Sequence, residues 1–374
     1  MGHAYTPGLK VTKATVIRKE RRLPVPGTVL VKLGDRVKAD QTVAKADLPG
    51  NVVPLNVAGK LGIQPNEVPE AMRVKEGEAV KKGDLVAVSK GIMGLMKTSL
   101  KAPCDGTIES ISAITGQVIL REPPLPIEVK AYIDGKVVEV IEWEGVLIET
   151  TASFVQGIFG IGGEVIGEIK VVVDSPDQEL LPSLITEDAK GKVIVGGSFI
   201  SVEAMRKARE LGAVAVVAGG TDDRNLKDFL GYDIGVAITG QEDVGLTVIL
   251  TEGFGRLRMA HKTFELLKSL EGKIASANGA TQIRAGVIRP EIIVPTQEES
   301  LISEETVDEG VLEIASLVRV IREPYFGLIG EVTKLPPEPT VIETEAKVRI
   351  LELRLEDGRC VTVPRANVEL IETL

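Results

Sequence analysis

Two stretches near the front of the chain share one alternation of apolar and polar positions. LVKLGDRVKADQTVA (30–44) aligns without gaps on RVKEGEAVKKGDLVA (73–87). Val31, Lys32, Gly34, Val37, Lys38, Val43 and Ala44 match Val74, Lys75, Gly77, Val80, Lys81, Val86 and Ala87. Each copy reads as strand, tight glycine-acid turn, strand. Gly34 and Gly77 suit positive φ, and Asp35 and Glu78 are placed to bond turn amides. The pattern changes over 187–295. KVIVGGS and AVAVVAGG are buried-strand runs, while SVEAMRKARELG is an amphipathic helix opened by Ser201 and closed by Gly212. The polar TDDRNLKDFLG, the strands GVAITG and LTVILTEGFG, and the helix MAHKTFELLKSLEG follow. Strands apolar on both faces and alternating with helices predict a small parallel α/β domain with right-handed crossovers. PTQEESLISEETVDEG (295–310) is acidic and weakly periodic, a linker or short surface helix. After it, KVRILELRLEDGRCVTVPRANVELIE alternates around an EDGR turn, as a small SH3-like barrel would.

Composition narrows the function classes. At 374 residues, two or three domains are expected. Hydrophobic residues make up 44% and aromatics only 3%, so the cores are aliphatic and ring platforms for single-stranded nucleic acid are disfavoured. The net charge of −10 is the wrong sign for a surface that grips phosphate backbone throughout. Cys104 and Cys360 lack metal-type spacing, which fits free thiols in a reducing compartment. His3 and His261 are the whole histidine inventory, too little for a histidine metal centre or a Ser-His-Asp relay. No catalytic residue and no metal ligand is therefore assigned. The first two dozen residues show no apolar signal core, and no run reaches membrane-spanning length, so a cytoplasmic protein without membrane insertion is expected.

The repeated V-x-x-G-x-x-V-x-x-G-x-x-(V/L)-A phrase, followed by KAPCDGTIESISAITGQVI, resembles the barrel-sandwich hybrid fold over roughly residues 23–150. That fold includes biotinyl and lipoyl carriers and the sandwich modules of multisubunit RNA polymerases. It also includes the front domain of one component in each of the Rnf-type and Nqr-type electron-transport complexes. In carriers the modified lysine stands seven residues before the alanine of the AP pair. Counting back from Ala102 reaches Leu95, and Lys97 falls two positions late, off the hairpin tip. No biotin or lipoate is expected. Near the other end, LVRVIREPYFGLIGEV (317–332) resembles the KOW motif of NusG-type factors and several ribosomal proteins, with Gly327 and Gly330 as the turn glycines. Such domains bind RNA, ribosomal protein or RNA polymerase. From 318 onward this chain carries eight basic and ten acidic residues, which favours protein over RNA. Arg319, Arg322 and Tyr325 are the candidate partner contacts.

The expected organisation is a multidomain β and α/β protein. It comprises an N-terminal extension (1–22), a barrel-sandwich hybrid with following strands (23–180), a small parallel α/β domain (187–295), an acidic linker (296–316) and an SH3-like KOW barrel (317–374). Ligands of α/β sheets gather where strands end and helices begin. The candidates there are Gly196, Gly197 and Ser198, Gly219 and Gly220 with the residues to Asp223, Thr239–Glu242, and Glu252 with the residues to Arg256. Thr281, Gln282, Arg284 and Arg289 join them from NGATQIRAGVIRP. Gly197 and Ser198 precede a helix and suit an anion held by backbone N–H groups. GIFGIGGEVIGEI (157–169) has Glu164 where a P-loop needs Gly-Lys-Ser/Thr, so Gly160, Gly162 and Gly163 read as backbone packing. His261 reads as a surface or half-buried helix residue. RKERR (18–22) suits either an acidic or phosphate partner or a solvated strand edge. The leading expectation is a non-catalytic binding or scaffold protein that self-assembles. A polymerase- or ribosome-associated factor, and an enzyme or electron-transport accessory protein with a ligand in the α/β domain, are the alternatives.

Overall fold

The structure is a computed structural model. It describes residues 9–90, 98–232, 240, 244–282, 288–296, 312–320, 322, 324–325, 328–336, 338–341, 347–355 and 358–370. The chain is mostly β, arranged in several sheets. Residues 11–22, expected as part of an extension, form a twelve-residue strand, β1 (Val11–Arg22). It pairs antiparallel with β2 (Gly145–Gln156) over its whole length, from Val11 opposite Val155 to Arg22 opposite Gly145. The other edge of β2 is divided. Gly145–Glu149 face the strand Gly135–Ile141, and Ala152–Gln156 face a strand far later in the sequence, Glu291–Pro295. One strand therefore stitches the front of the chain into the α/β unit.

The α/β unit runs through β3 (Phe159–Ile161), β4 (Glu164–Val171), β5 (Lys192–Val195), α1 (Val202–Glu210), β6 (Ala215–Thr221), α2 (Asp223–Leu230), β7 (Thr247–Phe254), α3 (His261–Ser269), β8 (Ile274–Asn278) and β9 (Glu291–Pro295). Strands β4, β5, β6 and β7 are parallel neighbours in that order. A parallel unit is expected within 187–295; β4 joins it from before those bounds, and residues 235–239 of the expected strand GVAITG lie outside the described residues. The remaining strands are antiparallel additions: β3 beside β7, β8 beside β4, and β9 between β8 and β2. Successive residues of the parallel strands alternate between two cores. Ile194, Val216, Ala218, Val248 and Leu250 pack with Met205, Ala208, Leu226 and Phe229 of α1 and α2. Val193, Val195, Ala215, Val217 and Ile249 pack with Phe264 and Leu267 of α3. Each Val, Ile, Leu, Met or Phe among them contributes about 1.5–3 kcal/mol by leaving water. The Ser201 hydroxyl accepts from the Ala204 amide (3.3 Å) and opens α1, and Gly212 takes φ +75° just beyond it.

The two repeats fold alike. Gly34 and Gly77 adopt φ +90° and +83°. Asp35 accepts from the Lys32 amide (2.8 Å) and Glu78 from the Lys75 amide (2.9 Å). Strands Arg36–Val37 and Thr42–Leu48 of the first copy correspond to Ala79–Val80 and Leu85–Val88 of the second. The copies seed separate cores: Val31, Val37 and Val43 join Tyr132, Ile148 and Phe154, while Val80, Val86 and Ala87 join Ile108, Val118 and Leu120. Leu85–Val88 pairs antiparallel with Ser99–Lys101. Leu95 and Lys97 lie outside the described residues.

The C-terminal module is an antiparallel sheet in the order Cys360–Pro364, Ile350–Leu355, Ile329–Lys334, Leu317–Val320, Val368–Leu370. Its core is aliphatic, built on Val318, Val320, Val332, Leu351 and Leu353. Among the described residues this sheet is an open path of strands and not a closed barrel. Gly330 sits within a strand, and Gly327 is outside the described residues. No helix is long and apolar enough to cross a membrane, among the described residues.

Candidate functional site

The carboxyl ends of β5, β6 and β7 bring together six of the residues marked by the sequence. The Gly219 amide donates to the Gly197 carbonyl (2.7 Å) and the Gly220 amide to the Ser198 carbonyl (3.0 Å). Gly196 donates to the Val217 carbonyl (2.8 Å) and Ser198 to that of Gln178 (3.0 Å). These four amides are engaged within the chain, so the expected anion cradle would have to form without them. Gly197, Gly219 and Gly220 are there because backbones cross. A β-carbon on Gly197 would stand 2.3 Å from the Gln178 carbonyl oxygen, and one on Gly219 would stand 2.0 Å from that of Leu257. The Ser198 hydroxyl donates to the Asp177 carbonyl (2.8 Å).

Glu252, on β7, is the charged member of this group. Its Oε1 accepts from the Ala260 amide at the start of α3 (3.0 Å), and its Oε2 accepts from Arg319 Nη2 (2.6 Å). The two side chains are only 10% and 3% exposed. Glu252 reads from the sequence as a ligand residue and Arg319 as a partner contact; in the fold they hold each other. Arg322 and Tyr325 are half-buried, and Tyr325 packs on the C-terminal core. Thr281 and Gln282 lie elsewhere. The Thr281 hydroxyl accepts from the Gly160 amide (2.8 Å) beside β3, and the Gln282 amide donates to the Ile288 carbonyl (2.9 Å). Arg284, Thr239, Gln241 and Glu242 are outside the described residues. His261 is exposed at the start of α3.

At the opposite, amino ends of the parallel strands lies an open cavity of about 530 Å³, lined by Gly162, Gly163, Glu164, Gly212, Gly245 and Thr247 among others. Glu164 is gripped there by Arg21 Nη1 and Nη2 (2.7 Å each). Arg21 belongs to a partly buried cluster that sequence reasoning missed. Lys19 Nζ lies 2.6 and 2.7 Å from the two oxygens of Glu291, and the Tyr132 hydroxyl donates to Glu291 Oε1 (3.3 Å). Ser276 donates its hydroxyl to the Tyr132 carbonyl. Tyr132 has φ +69°, in the left-handed region that a bulky residue rarely occupies. The Lys19 and Arg21 cations stand 6.0 and 5.4 Å from its ring centre. Burial first, and the neighbouring Glu291 carboxylate next, push its phenol well above the ordinary range. The available signal was the RKERR stretch, where Lys19 and Arg21 share one face of a strand.

That stretch is not an open basic patch. Arg18 pairs with Glu149, Lys19 with Glu291, Arg21 with Glu164, and Arg22 with Glu20 and Glu144. Cys104 and Cys360 are free thiols, and burial, followed by Glu122, raises the Cys104 thiol above its usual value. Among the described residues no three histidine, cysteine or carboxylate side chains are grouped to hold a metal ion. No family model matches the sequence, and no curated protein matches it.

Proposed function

We propose that the chain is a binding or scaffold protein that acts through protein–protein contacts and self-assembly, without chemistry of its own. One observation carries the reading: the polar groups at the carboxyl ends of the parallel strands are committed to the chain's own architecture, Glu252 above all, whose two oxygens hold a helix start and the C-terminal module. Contact surface remains on the front of the molecule. Trp143, the single tryptophan, is 61% exposed on a hairpin turn at φ +65°, and Leu33 and Leu125 are also exposed. In this reading the front of the chain is a barrel-sandwich hybrid that has kept the scaffold without a carrier lysine. The C-terminal module is an SH3-like, KOW-related unit that meets protein rather than RNA, and the protein works in the cytoplasm. Light scattering on the full chain tests the proposal. A homo-oligomer whose mass survives moderate salt is expected, because apolar and strand-edge contacts resist salt better than phosphate contacts do. A monomer that binds RNA tightly and salt-sensitively would overturn it in favour of a polymerase- or ribosome-associated factor.

A further inference from the structure

Glu252 and Arg319 belong to different sheets, that of the α/β unit and that of the C-terminal module. In the strand Leu317–Val320, Val318 and Val320 point into the C-terminal core, so Arg319 between them points away from it. Arg319 is nevertheless only 2% exposed, because the α/β unit covers it. Glu252, for its part, is positioned by groups other than Arg319. The Ala260 amide fixes Oε1 at the start of the nine-residue α3. The backbone around it is closely packed: Gly253 and Gly255 take φ +123° and +112°, and a β-carbon on Gly220 would stand 2.4 Å from the Gly255 carbonyl oxygen. The second carboxylate oxygen is thus held by a rigid frame. An apolar pair of similar volume would hold two modules together at least as well as a buried ion pair, so an ion pair here points to recognition rather than to stability alone.

We propose that Glu252 is a guanidinium-binding site at the carboxyl end of the parallel strands, the end where open α/β sheets take ligands, and that Arg319 is its resident occupant. The ligand class is an arginine side chain, whose planar guanidinium is weakly hydrated and suits a buried carboxylate better than a lysine ammonium does. An arginine-bearing segment of a partner protein then reaches Glu252 by displacing the C-terminal module, which makes the docked module a self-inhibiting one.

Thermal melting of the full chain with methylguanidinium as probe tests this, independently of oligomeric state. In Arg319→Ala the probe should raise the melting temperature saturably, since a ligand selective for the folded state stabilises it. The wild type, with its site filled, should not respond, and neither should the double variant Arg319→Ala, Glu252→Gln. Should Arg319→Ala fail to fold alone, the probe should restore a cooperative transition to it and not to the double variant. No response in Arg319→Ala, or an equal response in the double variant, overturns the site.

Discussion

Replacing Glu291 with glutamine keeps the shape of the side chain and removes its charge at the point where Lys19 and Tyr132 converge. A glutamine oxygen in the place of Oε1 still accepts from both Lys19 and Tyr132, but the amide nitrogen in the place of Oε2 turns a donor toward the Lys19 ammonium, where a carboxylate oxygen now accepts. Breaking a fully buried pair costs about 3–5 kcal/mol, and an exposed pair contributes about 0–1 kcal/mol. Glu291 is 12% and Lys19 26% exposed, so water partly screens the stranded ammonium. The expected cost is about 2 kcal/mol, between these limits. A cycle with Lys19→Met should show a coupling of about 1–2 kcal/mol. Arg18→Ala, which breaks a pair whose members are 65% and 33% exposed, is the control, and removing that pair should cost about 0–1 kcal/mol. Urea unfolding followed by circular dichroism gives the comparison, read as a shift of midpoint at constant slope. If Glu291→Gln costs no more than the Arg18 control, or the coupling is near zero, the Lys19–Glu291 pair does not stabilise the fold.

Two further expectations use the same instrument. Gly34→Ala should cost about 1–2 kcal/mol from its positive φ alone, since nothing lies within 4 Å of the new methyl. Gly219→Ala drives its methyl against the Leu257 carbonyl and should abolish the cooperative transition; equal, small losses at both sites would refute the crossing of backbones. For Tyr132 the folded phenol titrates above its unfolded counterpart, which ionises at about pH 10. Its contribution to stability is therefore complete below that pH and is lost as pH rises toward the folded value. Tyr132→Phe should flatten the alkaline limb of the stability profile, and an unchanged limb would count against a buried, neutral phenol.

What the sequence disclosed was local. The turn at Gly34 depends on Asp35 reaching an amide three residues back, and the helix at Val202 on Ser201 reaching three residues forward, so both were readable in a few letters. The parallel strands announced themselves because each is apolar on both faces. The basic stretch was opaque for the opposite reason: the carboxylates that neutralise Arg18, Lys19 and Arg21 lie 131, 272 and 143 residues away. Gly197 and Gly219 carried a real signal, close approach, but a glycine looks the same whether a ligand or another backbone approaches it. Glu252 was marked as a ligand residue and Arg319 as a partner contact, and their meeting across 67 residues was not foreseeable from spacing.

The double allegiance of β2 sets how the gene can be cut. A fragment ending near residue 150 would sever the strand itself, and one ending before Glu291 would strip the ladder from Ala152–Gln156. Either fragment exposes a raw hydrogen-bonding edge on an aliphatic strand, which invites pairing with whatever chain is nearest. The front of the molecule is thus not a portable part. Expressed alone it should precipitate or borrow a strand, whereas supplying Glu291–Pro295 on a linked segment should keep it in solution.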